Sequence, residues 1–230
     1  MKKYVIFDFD GTLINTNDVI VGSWQATYDH YLGRRVSRKE IELSFGETLV
    51  DTIRKMIPGA DVDEVVDYYR TWQKNHQKEM VTIYEGIREL LDQLRNMGCV
   101  IGVGTSRTSA SFWNYMRQFG MEDTVDEVVT MDDVTRHKPH PDTVNVVLAR
   151  MAGLPEGSEI PEEIRKEAIM LGDTRFDIGC ATNAGVDSVL VTWGREIDYN
   201  EITAWGTAPT YIIGRPSQFL ELIGSAHQTE

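Results

Sequence analysis

Apolar residues occur in two patterns along this chain, as short unbroken runs and as longer stretches with helical spacing. The run at Tyr4–Phe7 is one of the short ones, and it ends at an aspartate. Unbroken runs of this length are typical of strands that are buried on both faces. From residue 84 onward such runs alternate with amphipathic helical patterns. The alternation predicts an α/β fold with a doubly wound parallel sheet that is covered by helices on both faces.

Residues 17–82 follow a different pattern, because their apolar side chains recur at helical spacing without a strand-like run. Pro58 and Gly59 form a break between two consecutive helical segments. We therefore predict an α/β core formed by residues 1–16 and 83–230, with residues 17–82 inserted as an all-helical module. Four aromatic residues at helical spacing are assigned to the interior of that module: Trp24, Tyr68, Tyr69 and Trp72.

The composition excludes several classes of protein. The 230 residues carry a formal net charge of −13, which argues against nucleic-acid binding because that function needs a basic surface. No window is apolar enough for a membrane span, and the N-terminal apolar run is too short for a signal peptide. Cys99 and Cys180 stand in apolar or small-residue surroundings, which favours buried free thiols in a reducing compartment. We expect a soluble cytoplasmic protein, monomeric or homodimeric, without nucleic-acid or membrane partners.

Polar residues follow the predicted strands at the points where those strands end. In chain order they are Asp8, Asp10, Thr105, Ser106, Lys138, Asp173 and Asp177. Open parallel sheets bind ligands at the carboxyl ends of their strands, so we expect these side chains to form one site. Several buried carboxylates repel one another unless a cation lies among them. The pattern therefore predicts a site that holds a cation.

This set of side chains suits a divalent cation and a phosphoryl group. Hard cations such as Mg²⁺ prefer oxygen ligands and often pair with phosphates, so Mg²⁺ is the expected cofactor. Asp8 and Asp173 are the natural side-chain ligands, while Asp10 offers its backbone carbonyl. The Asp10 side chain then remains free for general acid and base catalysis. With the metal in place, Asp8 is the expected nucleophile and forms an aspartyl-phosphate.

Backbone and cationic groups complete the expected phosphate site. Gly11 permits a sharp turn that brings N–H groups close to a ligand. Thr105, Ser106 and Lys138 are expected to bind the phosphate oxygens. Taken singly, these residues also allow other interpretations: a helix N-cap at Thr105 and Ser106, a solvated lysine at Lys138, and turn or helix-start acids at Asp173 and Asp177. Their joint occurrence, each after a buried strand, favours the site.

Four stretches of the chain resemble the motifs of a known family. They read "DFDGTL", "VGTS", "KPHPD" and "GDTRFD", and they resemble the four motifs of the haloacid dehalogenase-like phosphohydrolases. The resemblance runs from Tyr4 to about Phe219 and includes the helical insertion, which resembles the cap of the phosphoglycolate phosphatase-like branch. It implies a Rossmann-like core with a helical cap.

The resemblance also implies a role for each motif residue. Asp8 is the implied nucleophile, Asp10 the acid and base, and Asp173 a Mg²⁺ ligand. Thr105 and Lys138 are the implied phosphate-binding residues. Asp177 is implied either to contact the metal ligands from outside or to pair with Lys138. True dehalogenases of this superfamily lack the second aspartate of the first motif, so its presence here argues against dehalogenation.

The choice of substrate rests on a resemblance that covers only two stretches of the chain. The stretches "INTNDVIVGSWQATYDHY" and "SFGETLVDTI" also resemble the inorganic pyrophosphatases of this branch. We expect hydrolysis of a small phosphate ester such as phosphoglycolate, with inorganic pyrophosphate as the alternative. The cap is expected to close over the site and exclude water. Arg107 is either a substrate contact or a solvated residue at a helix start. The full set of expected substrate contacts is Asn15, Asn17, Gly46, Glu47 and Arg107.

Two other functions fit parts of the pattern. Signalling receiver domains also combine an acidic Mg²⁺ site with a phosphorylated aspartate, a threonine and a lysine. They are shorter than this chain, carry that aspartate on a middle strand and have no counterpart of the helical insertion. A non-catalytic binding protein on the same scaffold is the other alternative, and the intact set of four motifs argues against it.

Overall fold

The computed structural model describes residues 2–155 and 157–225. The predicted core also includes Met1, Glu156 and residues 226–230, which lie outside the described residues. The strands, in chain order, are β1 (Tyr4–Phe7), β2 (Ile14–Asn15), β3 (Thr82–Ile83), β4 (Val100–Gly104), β5 (Glu127–Val129), β6 (Ala168–Gly172), β7 (Asp187–Val191) and β8 (Tyr211–Ile213). The α-helices are α1 (Asn17–Leu32), α2 (Arg38–Glu42), α3 (Leu49–Met56), α4 (Val62–Met80), α5 (Ile87–Asn96), α6 (Ser109–Phe119), α7 (Asp142–Met151), α8 (Glu162–Lys166), α9 (Arg175–Ala184), α10 (Tyr199–Ala204) and α11 (Pro216–Ser225).

Six of these strands form one parallel sheet in the order β5-β4-β1-β6-β7-β8. β1 lies at the centre, where Tyr4 is in register with Val100 of β4 and with Ala168 of β6. All residues of β1 are buried, as the unbroken apolar run predicted. Phe7 packs in the apolar cluster on one face of the sheet and Ile6 packs in the cluster on the other. The parallel sheet with helices on both faces confirms the predicted fold class.

Helices α1 to α4 form the inserted module, and they confirm its helical character. Their apolar side chains build a cluster of their own, in which Trp24 and Tyr69 are buried as predicted. Tyr68 and Trp72 lie outside this cluster. Tyr68 stacks on His30 with ring centroids 4.4 Å apart, and Trp72 packs against the apolar cluster of the core. The sequence assigned both rings to the interior of the module, whereas the structure places them outside its apolar cluster, because tertiary packing decided their partners.

A two-stranded antiparallel ribbon joins the module to the core. β2 pairs with β3, with Ile14 opposite Ile83 and Asn15 opposite Thr82. The sequence did not predict these strands, since two residues are too few to show a period. The short helices α8 and α10 were missed for the same reason. Because of the ribbon, the two connections between core and module run side by side.

Both cysteines are buried and unpaired, as the sequence predicted. The Cys180 thiol donates a hydrogen bond to the carbonyl of His140 at 3.0 Å. Each therefore packs as a small, weakly polar group of the interior. Among the described helices, none is long and apolar enough to cross a bilayer.

Candidate active site

The carboxyl ends of three adjacent strands bring the predicted residues together. Asp8 follows β1, Thr105 follows β4 and Asp173 follows β6, and these strands are neighbours in the sheet. The Asp8 amide donates to the carbonyl of Leu171 at 2.8 Å, so hydrogen bonding to β6 fixes the backbone as far as Asp8. Parallel register therefore places the three side chains side by side, and all of them are buried.

Lys138 reaches the same point from the loop between β5 and α7. Its Nζ donates to Asp8 Oδ1 at 2.7 Å and to Asp177 Oδ1 at 2.6 Å. Burial by itself lowers the pKa of Lys138, but the charges of Asp177 and Asp8 outweigh it and raise that pKa above its usual range. Lys138 is therefore a buried ammonium held between two carboxylates, and its interpretation as a solvated lysine is wrong.

Asp177 connects this lysine to the start of α9. Its Oδ2 accepts hydrogen bonds from the Thr174 amide at 3.1 Å and from the Thr174 hydroxyl at 2.6 Å. The same carboxylate therefore caps the helix and pairs with Lys138. Asp177 is thus an acid at the start of a helix and also a partner of Lys138, as the two sequence interpretations proposed.

Thr105 and Ser106 do not cap the helix that follows them, because α6 takes Thr108 as its N-cap residue. The N-cap interpretation of these two residues is therefore wrong. The Thr105 hydroxyl instead accepts a hydrogen bond from the amide of Arg107 at 3.1 Å. Thr105 is buried beside β1, while Ser106 is half-buried and lines the cavity described below.

Three buried carboxylates lie within reach of a single ion. One oxygen from each of Asp8, Asp173 and Asp177 lies within 4.8 Å of the others. Burial and the charge of Asp177 raise the pKa of Asp8 to about 7. Burial and the charges of Asp177 and Asp8 raise the pKa of Asp173 as well. Asp173 Oδ1 is buried and has no hydrogen-bond partner among the described residues. An unpartnered carboxylate oxygen in such a cluster fits a divalent cation.

Gly11 brings the backbone close to this cluster. Its φ of 72° lies in the left-handed region that favours glycine. A Cβ at this position would also lie 2.3 Å from Asp173 Oδ2, so no other residue fits without displacing that carboxylate. The carbonyl of Asp10, just before the turn, accepts no hydrogen bond from a described backbone amide. It is therefore available as the ligand that the sequence predicted.

The Asp10 side chain is held by an arginine from the neighbouring strand end. Arg107 donates to Asp10 Oδ2 through Nε and to Oδ1 through Nη2, both at 2.6 Å. Thr16 donates to the same Oδ1 at 2.5 Å. The guanidinium also lies over the ring of Tyr115, with the carbon 4.7 Å from the ring centroid. Since only 11% of the Arg107 side chain is exposed, its interpretation as a solvated residue is wrong.

A cavity of about 490 Å³ lies between the core and the helical module. Asp8 and Asp10 line it from the core, and Gly46 lines it from the module. Gly46 has a φ of 87°, and a Cβ there would lie 2.6 Å from Thr174 Oγ1. The Ser106 hydroxyl donates to the Gly46 carbonyl at 3.3 Å. The loop that carries Gly46 therefore contacts the core directly at the edge of the cavity.

The other predicted substrate contacts fall into two groups. Asn17 and Glu47 line the cavity, but both have partners in the protein. Asn17 Nδ2 donates to the Gly194 carbonyl at 2.9 Å, and Glu47 pairs with Lys55 at 3.1 Å. Asn15 lies in β2 and is not among the residues that line the cavity. The first two are placed to contact a ligand, whereas Asn15 lies in the ribbon.

The helical module adds a face that the sequence did not assign to the site. Four residues of α4 line the cavity, and we call them the α4 polar face: Arg70, Gln73, Lys74 and Gln77. Their spacing of three, four and seven residues places them on one side of the helix. The spacing is visible in the sequence, but polar stripes usually face solvent. Only the docking of α4 on the core shows that this one faces a cavity.

The chain matches known proteins over nearly its full length. Residues 5–191 match the family model described as haloacid dehalogenase-like hydrolase. Pyrophosphatase PpaX of Bacillus pumilus is 32% identical over 221 residues, which cover 96% of this chain and 96% of that protein. Pyrophosphatase PpaX of Bacillus mycoides is 32% identical over 222 residues, or 95% of each chain. A haloacid dehalogenase-like family hydrolase from Streptococcus pneumoniae shares the fold, with a TM-score of 0.75, 21% identity, and coverage of 96% of this chain and 98% of that one.

Proposed function

This chain belongs to the haloacid dehalogenase-like hydrolase family and is a phosphatase of that family, and we propose that it is Mg²⁺-dependent and forms an aspartyl-phosphate on Asp8. The observation that carries the proposal is the buried cluster of charges at the strand ends. Asp8 shares Lys138 with Asp177, and nearby Asp173 has a carboxylate oxygen without a partner among the described residues. Carboxylates packed this closely are unfavourable unless cations balance them. The cluster therefore supports a joint site for a metal ion and a phosphoryl group.

The metal would be held by oxygens of Asp8 and Asp173 and by the carbonyl of Asp10. Asp177 is the less suitable ligand of the three, because both of its oxygens already accept hydrogen bonds, from Lys138 and from Thr174. When bound, Mg²⁺ supplies positive charge that balances the carboxylates and the phosphoryl oxygens. A ligand set made only of oxygen atoms suits Mg²⁺ or Mn²⁺.

In the first half-reaction a carboxylate oxygen of Asp8 attacks phosphorus, and the bond between phosphorus and the leaving oxygen breaks. Lys138 holds Asp8 Oδ1 at 2.7 Å and so fixes the plane of the attacking carboxylate. Its positive charge also favours the ionised, nucleophilic form of Asp8. Asp10 donates a proton to the departing oxygen. The products of this step are the free leaving group and an aspartyl-phosphate.

In the second half-reaction Asp10 takes a proton from a water molecule that attacks the aspartyl-phosphate. Phosphate leaves and Asp8 is regenerated. Arg107 and Thr16 donate hydrogen bonds to the Asp10 carboxylate and so fix its position for both proton transfers.

The helical module limits the access of water to this chemistry. The backbone of Gly46 lies against Thr174 and accepts a hydrogen bond from Ser106, so the module is in contact with the core at the site. Excluding bulk water strengthens the interactions of the buried charges and protects the aspartyl-phosphate from random hydrolysis. The ribbon formed by β2 and β3 carries both connections and is the natural hinge for opening.

The substrate is a small phosphorylated compound, and two candidates have support. A cavity of about 490 Å³ supports a phosphate monoester such as phosphoglycolate or a larger one, because pockets of this size bind organic ligands. Inorganic pyrophosphate is the second candidate, and it is favoured by the relatives named pyrophosphatase PpaX. Both candidates use the same residues at phosphorus and differ only in the leaving group.

Phosphate release in the presence of Mg²⁺, measured side by side from pyrophosphate and phosphoglycolate, tests the proposal. We expect Asp8→Asn to reduce release from either substrate to background, because an amide is a poor nucleophile. Asp92→Asn on the exposed side of α5 removes the same charge outside the site and should keep full activity. Full activity of a folded Asp8→Asn protein would contradict the covalent route. The ranking of the two substrates decides between the candidates.

We infer a cytoplasmic location from the two unpaired, buried cysteines, which suit a reducing compartment. The partners we propose are small phosphorylated molecules. A monomer or a homodimer remains the expected state in solution, and gel filtration with light scattering would distinguish them.

A further inference from the structure

The cavity extends from the carboxylate cluster to a second wall with different chemistry. This wall includes the α4 polar face and also Ser111 and Asn114 of α6. From Arg70 to Gln77 the α4 polar face runs for two turns, or about 10 Å along the helix axis. None of these residues takes part in the reaction at phosphorus. The wall is therefore placed to contact the leaving group of a substrate.

Arg70 and Lys74 are unpaired cations on this wall. Neither side chain forms an ion pair with another described residue. Arg107 also lines the cavity, but its charge is balanced by Asp10. Glu47, a carboxylate that the module contributes to the cavity, is balanced by Lys55 rather than by either cation. In a chain with a net charge of −13, two unbalanced cations on a cavity wall attract an incoming anion.

The length of the α4 polar face bears on what kind of anion fits, and Arg107 links the carboxylate cluster to the wall. Arg107 contacts Asp10 at 2.6 Å on one side and the Ser111 hydroxyl at 2.8 Å on the other. The guanidinium therefore stands between the acid/base carboxylate and the wall, and Asn114 lies about one further turn along α6. In pyrophosphate a single oxygen separates the two phosphorus atoms, so its leaving group is much shorter than one that spans the two turns of the α4 polar face.

We propose that Arg70 and Lys74 of α4, together with Asn114 of α6, bind an anionic group at the far end of the leaving group. The substrate is then an elongated phosphate monoester whose leaving group ends in a carboxylate or a second phosphate. Gln73 and Gln77 supply amide groups for polar atoms along that leaving group; the Gln73 amide already donates to the hydroxyl of Tyr69 at 3.2 Å. This inference rests on the proposed phosphohydrolase function and narrows its substrate class.

A series of synthetic phosphates of equal chain length tests this inference. A carboxyalkyl phosphate, an alkyl bisphosphate and a hydroxyalkyl phosphate share the reacting group and differ only at the far end. We expect the wild-type kcat/KM to be about tenfold higher for an anionic terminus than for the hydroxyl, since one charged contact contributes about that factor. In an Arg70→Gln, Lys74→Gln double variant the ratio should fall to about one, mainly through KM. Whether the carboxylate or the phosphate is preferred identifies the terminal group.

Lys78→Gln provides the matched control, because Lys78 is on the same helix, is exposed and does not line the cavity. It should keep the wild-type ratio. Equal kcat/KM for anionic and neutral termini in the wild-type protein would overturn the inference, and so would a matching loss of the ratio in Lys78→Gln.

Binding to Asp8→Asn protein, measured by calorimetry, gives a readout that does not depend on turnover. The anionic compounds should bind about tenfold more tightly than the hydroxyl compound, and the double variant should remove that difference. If the wild-type protein hydrolyses no phosphate while this preference persists, the proposed reaction fails and the inference on the ligand stands. If binding shows no preference, the inference fails whatever the turnover.

Discussion

At the scale of single residues, Lys138 supplies positive charge between two buried carboxylates of the site. It lies between Asp8 and Asp177, and all three side chains are buried. An ammonium between two carboxylates balances charge that the interior cannot solvate. The lysine is therefore a structural partner of the site as well as a candidate phosphate contact.

Lys138→Met tests this structural role. Removing the ammonium leaves two carboxylates buried beside each other, so we expect the free energy of unfolding to fall by about 3 kcal/mol, measured by urea titration in the presence of EDTA. Adding Asp177→Asn to that variant should recover part of the loss, because it removes one of the two charges. Lys78→Met, on an exposed position of α4, should change the stability little. An unchanged midpoint in Lys138→Met would show that the pair contributes nothing to folding.

The two cysteines permit a second test at this scale. Burial raises the pKa of Cys180 to about 12, and burial also raises the pKa of Cys99. Only the thiolate reacts with disulfide reagents, so both thiols should be inert in the native protein near pH 8. Ellman titration should detect no thiol in the folded protein and both thiols in denaturant. Prompt labelling of the native protein would show that one of the two cysteines is more accessible than the structure indicates.

At the scale of elements, the packing of α1 against α4 holds the helical module together. Gly22 of α1 faces the ring of Trp72, and a Cβ at this position would lie 2.3 Å from Trp72 Cη2. The close approach positions α4, and with it the α4 polar face, relative to the cavity. A helix interior normally disfavours glycine, so its presence here reflects the space that the ring occupies.

Gly22→Ala should therefore destabilise the protein, although alanine is the better helix former. We expect a loss of roughly 1–3 kcal/mol, because the added methyl overpacks the contact with Trp72. Gly224→Ala in α11 is the matched control, since no atom of a described residue lies within 4 Å of a Cβ there, and it should stabilise by about 0.5–1 kcal/mol. Thermal unfolding followed by circular dichroism compares the two. Equal gains in both variants would contradict the described packing of α1 on α4.

At the scale of the whole molecule, a bound metal should stabilise the fold, because its proposed ligands follow different strands. Asp8 follows β1 and Asp173 follows β6, and both are buried with raised pKa values. A ligand that binds only the native state stabilises it by an amount that grows with ligand concentration. Metal binding should therefore be visible in thermal stability without any assay of catalysis.

Mg²⁺ at 100 times its dissociation constant should stabilise the wild-type protein by about 2.7 kcal/mol and raise Tm by roughly 5–10 °C. Asp173→Asn should lose this response. Its Tm without metal should equal or exceed that of the wild type, since the substitution removes one charge from the buried cluster. Asp92→Asn on exposed α5 should behave as wild type throughout. A full Mg²⁺ response in Asp173→Asn would place the metal elsewhere.

Much of the fold was predictable because burial imposes local periods on the sequence. Unbroken apolar runs identified the strands of the parallel sheet, and the polar residues that end them identified Asp8, Asp10, Thr105 and Asp173 as neighbours. The two-residue strands of the ribbon and the short helices α8 and α10 contain too few residues for any period to emerge. The ribbon that joins the module to the core was missed for that reason.

The pairing of charges could not be predicted from the sequence. Lys138 and Asp8 are 130 positions apart in the chain, and Arg107 and Asp10 are 97 apart. Nothing near Arg107 in the sequence separates a solvated helix-start arginine from the buried partner of the Asp10 carboxylate. Whether the α4 polar face meets solvent or a cavity depends likewise on how the module docks on the core.

The sequence by itself determined the α/β core, the helical insertion and the residue types at the strand ends, since each depends on the local order of apolar and polar side chains. Tertiary structure alone decided which cation balances which carboxylate, which oxygen of Asp173 stays unpartnered and which helix face lines the cavity. These outcomes depend on distances of a few ångströms between distant parts of the chain. Electrostatic pairing and hydrogen bonding change steeply over such distances, whereas the hydrophobic pattern that specifies the elements does not depend on them.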